Sequence, residues 1–392
     1  MADDTFADLQ KNFFAAFIQA VGYSIRQPAL VVQPAPPIVG QDEDEADTLL
    51  WNYFNAIPPY TITANTTLTT GAQFLATYSA VMAALQSPPN NFESTIGEAC
   101  FDGFNQALAA GTAQPTPIGY RNWAMLTKNC SSNAVAGASA YAAALLDPIF
   151  AGQNNVLPYK PVGKKSVDFA PGYKTMMKQL RNAPSRSANV SLSSSSAEYD
   201  KTWTGGSQSA VFGLWANSQS NTQISQKFAS ADVRLNVSFT NLLPFNATPG
   251  DWYTSSALGI AYSNKGNPPW VPTASKTWDN TFSDKGDLQR FTTSLLIANE
   301  MKLTYESVAT FTSQEQSEIK SNSSAGLWPF YNSGGGSYSF TDVSFSTSGS
   351  MMVTTSTVKN TPTIVGAIIE PASQYLGFAA EVAKAQVARL RK

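Results

Sequence analysis

The chain is 392 residues long, carries a net charge of −2, and is 13% charged and 43% hydrophobic, with no histidine. Charged residues average roughly 25% in globular proteins, so most of this surface has to be neutral and polar. The missing imidazole excludes Ser-His-Asp and Cys-His hydrolases, His-ligated metal centres and a His-based pH switch together.

The charge is uneven: residues 1–150 hold 4 basic and 12 acidic residues (−8), 151–200 hold 7 and 3 (+4), and 201–392 hold 14 and 12 (+2). No segment is basic enough to form a nucleic-acid footprint. The length predicts more than one ordinary core.

In chain order, Phe6, Leu9, Phe13, Phe14, Phe17 and Val21 recur at helical spacing and predict an amphipathic helix over 5–22. A connector with Pro28, Pro34, Pro36 and Pro37 cannot continue it. The acidic run Asp42-Glu43-Asp44-Glu45 opens a second helix to about Ile57, because negative charge favours a helix N-terminus. Ala-rich helices are expected over Thr70–Leu85, Asn91–Ala110 and Asn133–Phe150. Residues 151–205 turn basic and then Ser-rich, the composition of a connector.

Beyond it the period becomes two. Val233, Leu235, Val237 and Phe239 alternate with Arg234, Asn236, Ser238 and Thr240, which is a half-buried strand. Further strands are expected near 187–195, 208–216, 255–263, 292–299, 301–310, 337–346 and 351–358, with Ile364–Ile369 as a central one. Thr312-Ser313-Gln314-Glu315 has the capping-box pattern of a short helix. A final helix is expected over Ala372–Arg391.

The fold expectation is therefore α+β: an N-terminal helical domain (1–150), a connector (151–205), and an antiparallel β-sandwich with a C-terminal helix (206–392).

Motifs for chemistry are sparse. Gly163-Lys164-Lys165-Ser166 has the tail of a phosphate-binding loop, but Pro158 stands where its first glycine belongs. Cys100 and Cys130 allow one disulfide and no framework. Asp279, Asp284 and Asp287 concentrate oxygen ligands beside Gly286, a weak calcium candidate that Lys285 interrupts. Six of the eight tryptophans lie between 203 and 328, and Trp252, Tyr253, Trp270, Trp328, Phe330 and Tyr331 sit beside turns. Buried corner aromatics are one reading of these; the other is an exposed rim suited to glycan stacking, a membrane interface or a protein partner.

These features predict a non-catalytic, surface-binding and membrane-acting protein, toxin-like in layout. The β-sandwich would dock on a membrane or glycan surface, the helices would act as effector, and the functional state would be a homo-oligomer with no nucleic-acid partner. The first alternative is a self-assembling shell, filament or lattice protein. The second is a carboxylate-dependent enzyme such as a glycosidase, for which Asp251, Asp279, Glu300 and Glu306 are candidates. The start Met1-Ala2-Asp3-Asp4 lacks a basic region and the apolar runs are short, so cytoplasmic synthesis without a Sec signal is expected, with non-Sec release open.

Overall fold

The structure is a computed structural model that describes residues 9, 13, 17, 21–22, 29–30, 37–58, 73–159, 167–192, 214–215, 222–323, 327–329, 339–359 and 361–378. Among these residues it is mixed helix and sheet, with thirteen α-helices and three antiparallel sheets, none closed. The strands are β1 (Ala29–Leu30), β2 (Phe169–Ala170), β3 (Arg186–Leu192), β4 (Val233–Phe239), β5 (Leu242–Asn246), β6 (Thr248–Pro249), β7 (Arg290–Ala298), β8 (Met301–Thr310), β9 (Ser339–Phe345), β10 (Ser350–Thr357) and β11 (Thr363–Pro371). One sheet has the order β1-β11-β7-β5, a second β3-β4-β8-β10-β9, and a third pairs β2 with β6.

The strand chemistry follows the burial. β4 and β8 alternate buried and outward residues, as half-buried strands do, whereas β7 and most of β11 are buried on both faces; β11 is correspondingly apolar, while β7 buries Arg290, Thr292 and Ser294 beside its Leu and Ile side chains. Three consecutive strand pairs, β4/β5, β7/β8 and β10/β11, divide between the two large sheets.

Several expected elements take another form. Residues 255–263 are a helix, not a strand: Ala257, Leu258 and Ala261 are buried at helical spacing, and packing overrides the alternation of Leu258, Ile260 and Tyr262 with small residues. The expected helix over Asn91–Ala110 is two helices, Phe92–Ile96 and Glu98–Ala109, divided at Gly97, whose φ of 81° only glycine adopts readily. The one over Asn133–Phe150 is also two, Ala134–Ala144 and Pro148–Asn155. The Asp147 side chain caps the second, accepting from the Phe150 amide at 2.8 Å. Helices Pro117–Leu126, Tyr173–Arg181 and Thr222–Ala229 were not foreseen.

Other expectations hold. Leu9, Phe13 and Phe17 are helical and buried, helix Glu43–Asn55 starts at the Asp42 cap, and Thr312 and Glu315 form the capping box of helix Ser313–Asn322. Of the expected strand 208–216 only Leu214 and Trp215 fall within the described residues. Most of the expected last helix lies outside them, and Ala372–Tyr375 is its described part.

Buried side chains form two clusters. The larger takes in Leu50, Phe54, Phe74, Tyr78 and Met82 from the first helices together with inward residues of both large sheets. At its centre the Phe74 ring meets Trp252, Phe291 and Tyr253 at centroid distances of 5.2, 5.1 and 5.6 Å, and Tyr78 meets Trp252 at 5.6 Å. Asp47, on the acidic helix, accepts the Tyr173 amide at the start of the basic helix Tyr173–Arg181, so the two oppositely charged helices pack together.

The smaller cluster belongs to residues 92–150, a helical lobe with rings of its own: Phe92 lies 4.7 Å from Tyr141, and Phe104 lies 5.0 Å from Tyr120. The chain enters and leaves this lobe side by side, because the Gln153 amide donates to the carbonyls of Met82 (3.0 Å) and Leu85 (2.8 Å). Cys100 and Cys130 are disulfide-bonded across 30 residues. Closing a loop of that length stabilises by roughly 3–4 kcal/mol in the chain-entropy picture.

Gly137 brings helix Ala134–Ala144 onto helix Pro117–Leu126. A Cβ there would overlap the fully buried Tyr120 ring and come within 2.6 Å of Ile96 Cγ2. Alanine gains roughly 0.5–1 kcal/mol in helix propensity but overpacks at a cost of roughly 1–3 kcal/mol. Gly137→Ala is therefore expected to destabilise by about 1–2 kcal/mol in urea unfolding; a stabilised variant would contradict this contact.

Burial also pushes the phenol of Tyr78 up to about 12, although its oxygen accepts the Thr254 amide at 3.0 Å. Burial likewise raises Tyr375 to about 12 and raises Tyr253 and Tyr141. The unfolded value is about 10, so the folded state holds these protons more tightly. Their contribution to stability is complete below pH ~10 and is lost as pH rises from there towards 12. Alkaline titration of tyrosinate absorbance is expected to include phenols that ionise only near pH 12 or on unfolding. A single step near 10 with the fold intact would contradict it.

Candidate functional site

The aromatic residues proposed from turn adjacency are inside the molecule. Trp252 is fully buried and its indole N–H donates to the Asp168 carbonyl at 2.9 Å. Trp270 is buried and donates to the Asn264 carbonyl at 2.8 Å. Trp328 is fully buried between Phe13, Tyr305 and Phe228 at 5.3, 5.5 and 5.7 Å, and Tyr253 packs partly buried against Tyr78. These four rings therefore do not form an exposed rim, because each turn folds its ring back into the shared core. Phe330 and Tyr331 lie outside the described residues.

The acidic loop does not assemble either. Asp279 sits in the first turn of helix Trp278–Phe282, Asp284 is exposed, and Asp287 pairs with Lys276. Among the described residues no group of three His, Cys, Asp or Glu side chains is placed to hold a metal ion. The four carboxylates considered for glycoside chemistry fall on separate elements. Asp251 is exposed after β6, Asp279 is helical, and Glu300 accepts the Thr240 hydroxyl at 3.1 Å in the β7–β8 turn. Glu306 lines a cleft.

Exposed large apolar side chains fall mostly on two surfaces. Ten occur among the described residues; three (Val308, Phe340, Met352) lie on the outer face of the five-stranded sheet and five on the helical lobe.

On the sheet, the alternation that buries Leu235, Leu303 and Val353 turns their neighbours outward, and register aligns these in rows. One row runs Arg234, Glu306, Met352, Ser344 directly across β4, β8, β10 and β9; the next runs Asn236, Thr304, Thr354, Asp342. The Thr304 and Thr354 hydroxyls are 3.3 Å apart. At the end of the first row, β8 bulges: Met351 pairs with Ser307, but Ser350 pairs with Thr310. Val308 faces outward in the alternation of β8, and beside the bulge lies a groove of about 490 Å³. Its far wall is the turn at residues 346–350, where the Ser346 oxygen lies 2.8 Å from that of Ser348 and 2.6 Å from that of Ser350. Glu306 is the one carboxylate and Arg234 the one cation among the described residues lining it, so it lacks the two carboxylates of glycoside hydrolysis.

On the lobe, helix Pro117–Leu126 turns Tyr120 and Ala124 inward and Ile118, Met125 and Leu126 outward, with Arg121 on the same face. Helix Ala134–Ala144 turns Ala134, Gly137, Ala140, Tyr141 and Ala144 inward, and its outward face is Val135, Ala136, Ser139, Ala142 and Ala143, followed by Leu146. Leu126 is 90% exposed and Leu146 84%. Residues 103–146 contain Arg121 and Lys128 and no Asp or Glu, inside a half of the chain that is otherwise acidic. Among the described residues no single helix is long and apolar enough to cross a membrane. No protein-family model, curated protein or solved structure matches the chain.

Proposed function

We propose that this is a non-catalytic surface-binding protein whose helical lobe seats on an anionic lipid surface. The observation that carries the reading is that helices Pro117–Leu126 and Ala134–Ala144 and the turn after the second leave Ile118, Met125, Leu126, Val135 and Leu146 exposed, within a stretch (103–146) that holds two cations and no acid. Apolar area with a cationic rim is the composition of an interfacial helix. Each Lys or Arg near an anionic bilayer contributes about 1 kcal/mol, and the apolar side chains gain by leaving water.

In this reading the two large sheets are the layers of one antiparallel sandwich that carries the lobe; the three strand pairs divided between them and their shared core support it. The Cys100–Cys130 disulfide supports action in an oxidising setting after release, since such bonds persist there.

Self-assembly through the same face is the second reading, favoured by the low charge of the chain, which leaves copies weakly repelled. Flotation with phosphatidylcholine vesicles, with and without phosphatidylserine, separates the two. Binding is expected to need phosphatidylserine, to weaken with salt, and to fall at least about tenfold in the Leu126→Glu, Leu146→Glu double variant. Concentration-dependent growth in light scattering without lipid, abolished by the same variant, would replace the lipid reading with self-assembly.

A further inference from the structure

We infer that the bulge-lined groove on the outer face of the five-stranded sheet is a binding site for a neutral saccharide, independent of the lipid-facing lobe. No residue of the lobe lines it. Several properties of the groove converge on that ligand class.

Its volume of about 490 Å³ lies within the range of small-ligand clefts. Its charge is balanced, one guanidinium against one carboxylate, so a phosphate, a nucleic acid or an anionic lipid gains nothing net from entering. The same two groups, opposite each other in register on β4 and β8, offer a fork of donors beside a pair of acceptor oxygens. Neighbouring hydroxyls of a sugar ring need both. Charge-assisted bonds of this kind are the stronger ones.

The rest of the lining repeats that duality. Ser344, Ser346, Ser348 and Ser350 present hydroxyls that donate and accept. Three of them are already ordered by mutual contacts and by the Ser350 amide, which donates to the Ser346 oxygen at 3.0 Å. A ligand then meets oriented groups and loses less freedom on binding. Beside them Val308 and Met352, 52% and 41% exposed, give an apolar strip for the C–H face of a sugar ring. Met352 lies directly between Glu306 and Ser344 in the cross-strand row. A peptide adding to the sheet edge would use the backbone of β9, which pairs on one side only among the described residues, and would leave Arg234 and Glu306, three and two strands away, unused.

The test uses the whole chain labelled at its methionine methyl groups. Maltohexaose, cellohexaose, chitohexaose and mannohexaose are added separately at millimolar concentration, with dextran sulfate as the anionic control. The expected result is that the Met352 resonance, assigned by Met352→Leu, moves with at least one neutral hexaose. Glu306→Gln and Arg234→Ala should each weaken that response at least about tenfold. Both side chains are exposed, so the variants are expected to melt like the parent, and Ser346→Ala provides a third perturbation of the same wall. No shift with any of the four sugars would overturn the proposal. So would a shift that survives both charge variants, or a response to dextran sulfate alone. Vesicle binding by the Glu306→Gln variant should equal that of the parent, which keeps failure of this site distinct from failure of the lobe.

Discussion

The contact on which the rest of the molecule depends is the ring packing of Phe74 and Tyr78 against Trp252 and Phe291. It joins a helix from the first hundred residues to both the sheet-borne rings and the chain's later turns. A protein with 13% charged residues has few ion pairs to place; burial of rings, with indole and phenol groups bonded to backbone, takes that role. Edge-on pairs each add roughly 0.5–1.5 kcal/mol beyond the area they bury, and this centre has several. The result is that the first helices and the sheets share one interior, while residues 92–150 keep another.

Much of this organisation was legible in the sequence where a period was unambiguous. The alternation from Val233 to Phe239 located β4 to the residue, and the unbroken apolar run Ile364–Ile369 marked a doubly covered strand. Capping chemistry located helix Ser313–Asn322 because Thr312 and Glu315 satisfy each other's backbone amides whatever surrounds them. In the stretch 255–263 large and small residues alternate from Leu258 to Ser263 as in a strand, and its helix is set instead by packing of Ala257, Leu258 and Ala261 against neighbouring helices.

The candidate site was less legible, for a different reason. Turn adjacency says where a tryptophan stands along the chain, not which way it points. Trp252 turns inward to a carbonyl 84 residues earlier, a partner no local window contains. The groove depends on cross-strand register: Arg234, Glu306, Met352 and Ser344 are far apart in sequence and become one row only when four strands align. The acid-free stretch 103–146, by contrast, was available by counting in a finer window. Averaging over 1–150 let the acids at 42–47 hide it.

The bond pair from Gln153 to Met82 and Leu85 makes the helical lobe a side branch of the chain, with its entry and exit points clasped together. A branch held at one neck transmits little of its internal sequence to the trunk. Its outward residues can drift, lengthen or be exchanged without disturbing sheet register, just as the β9–β10 turn can vary without disturbing the lobe. The two proposed recognition surfaces, on separately buried supports, are thus free to diversify at their own rates within one polypeptide.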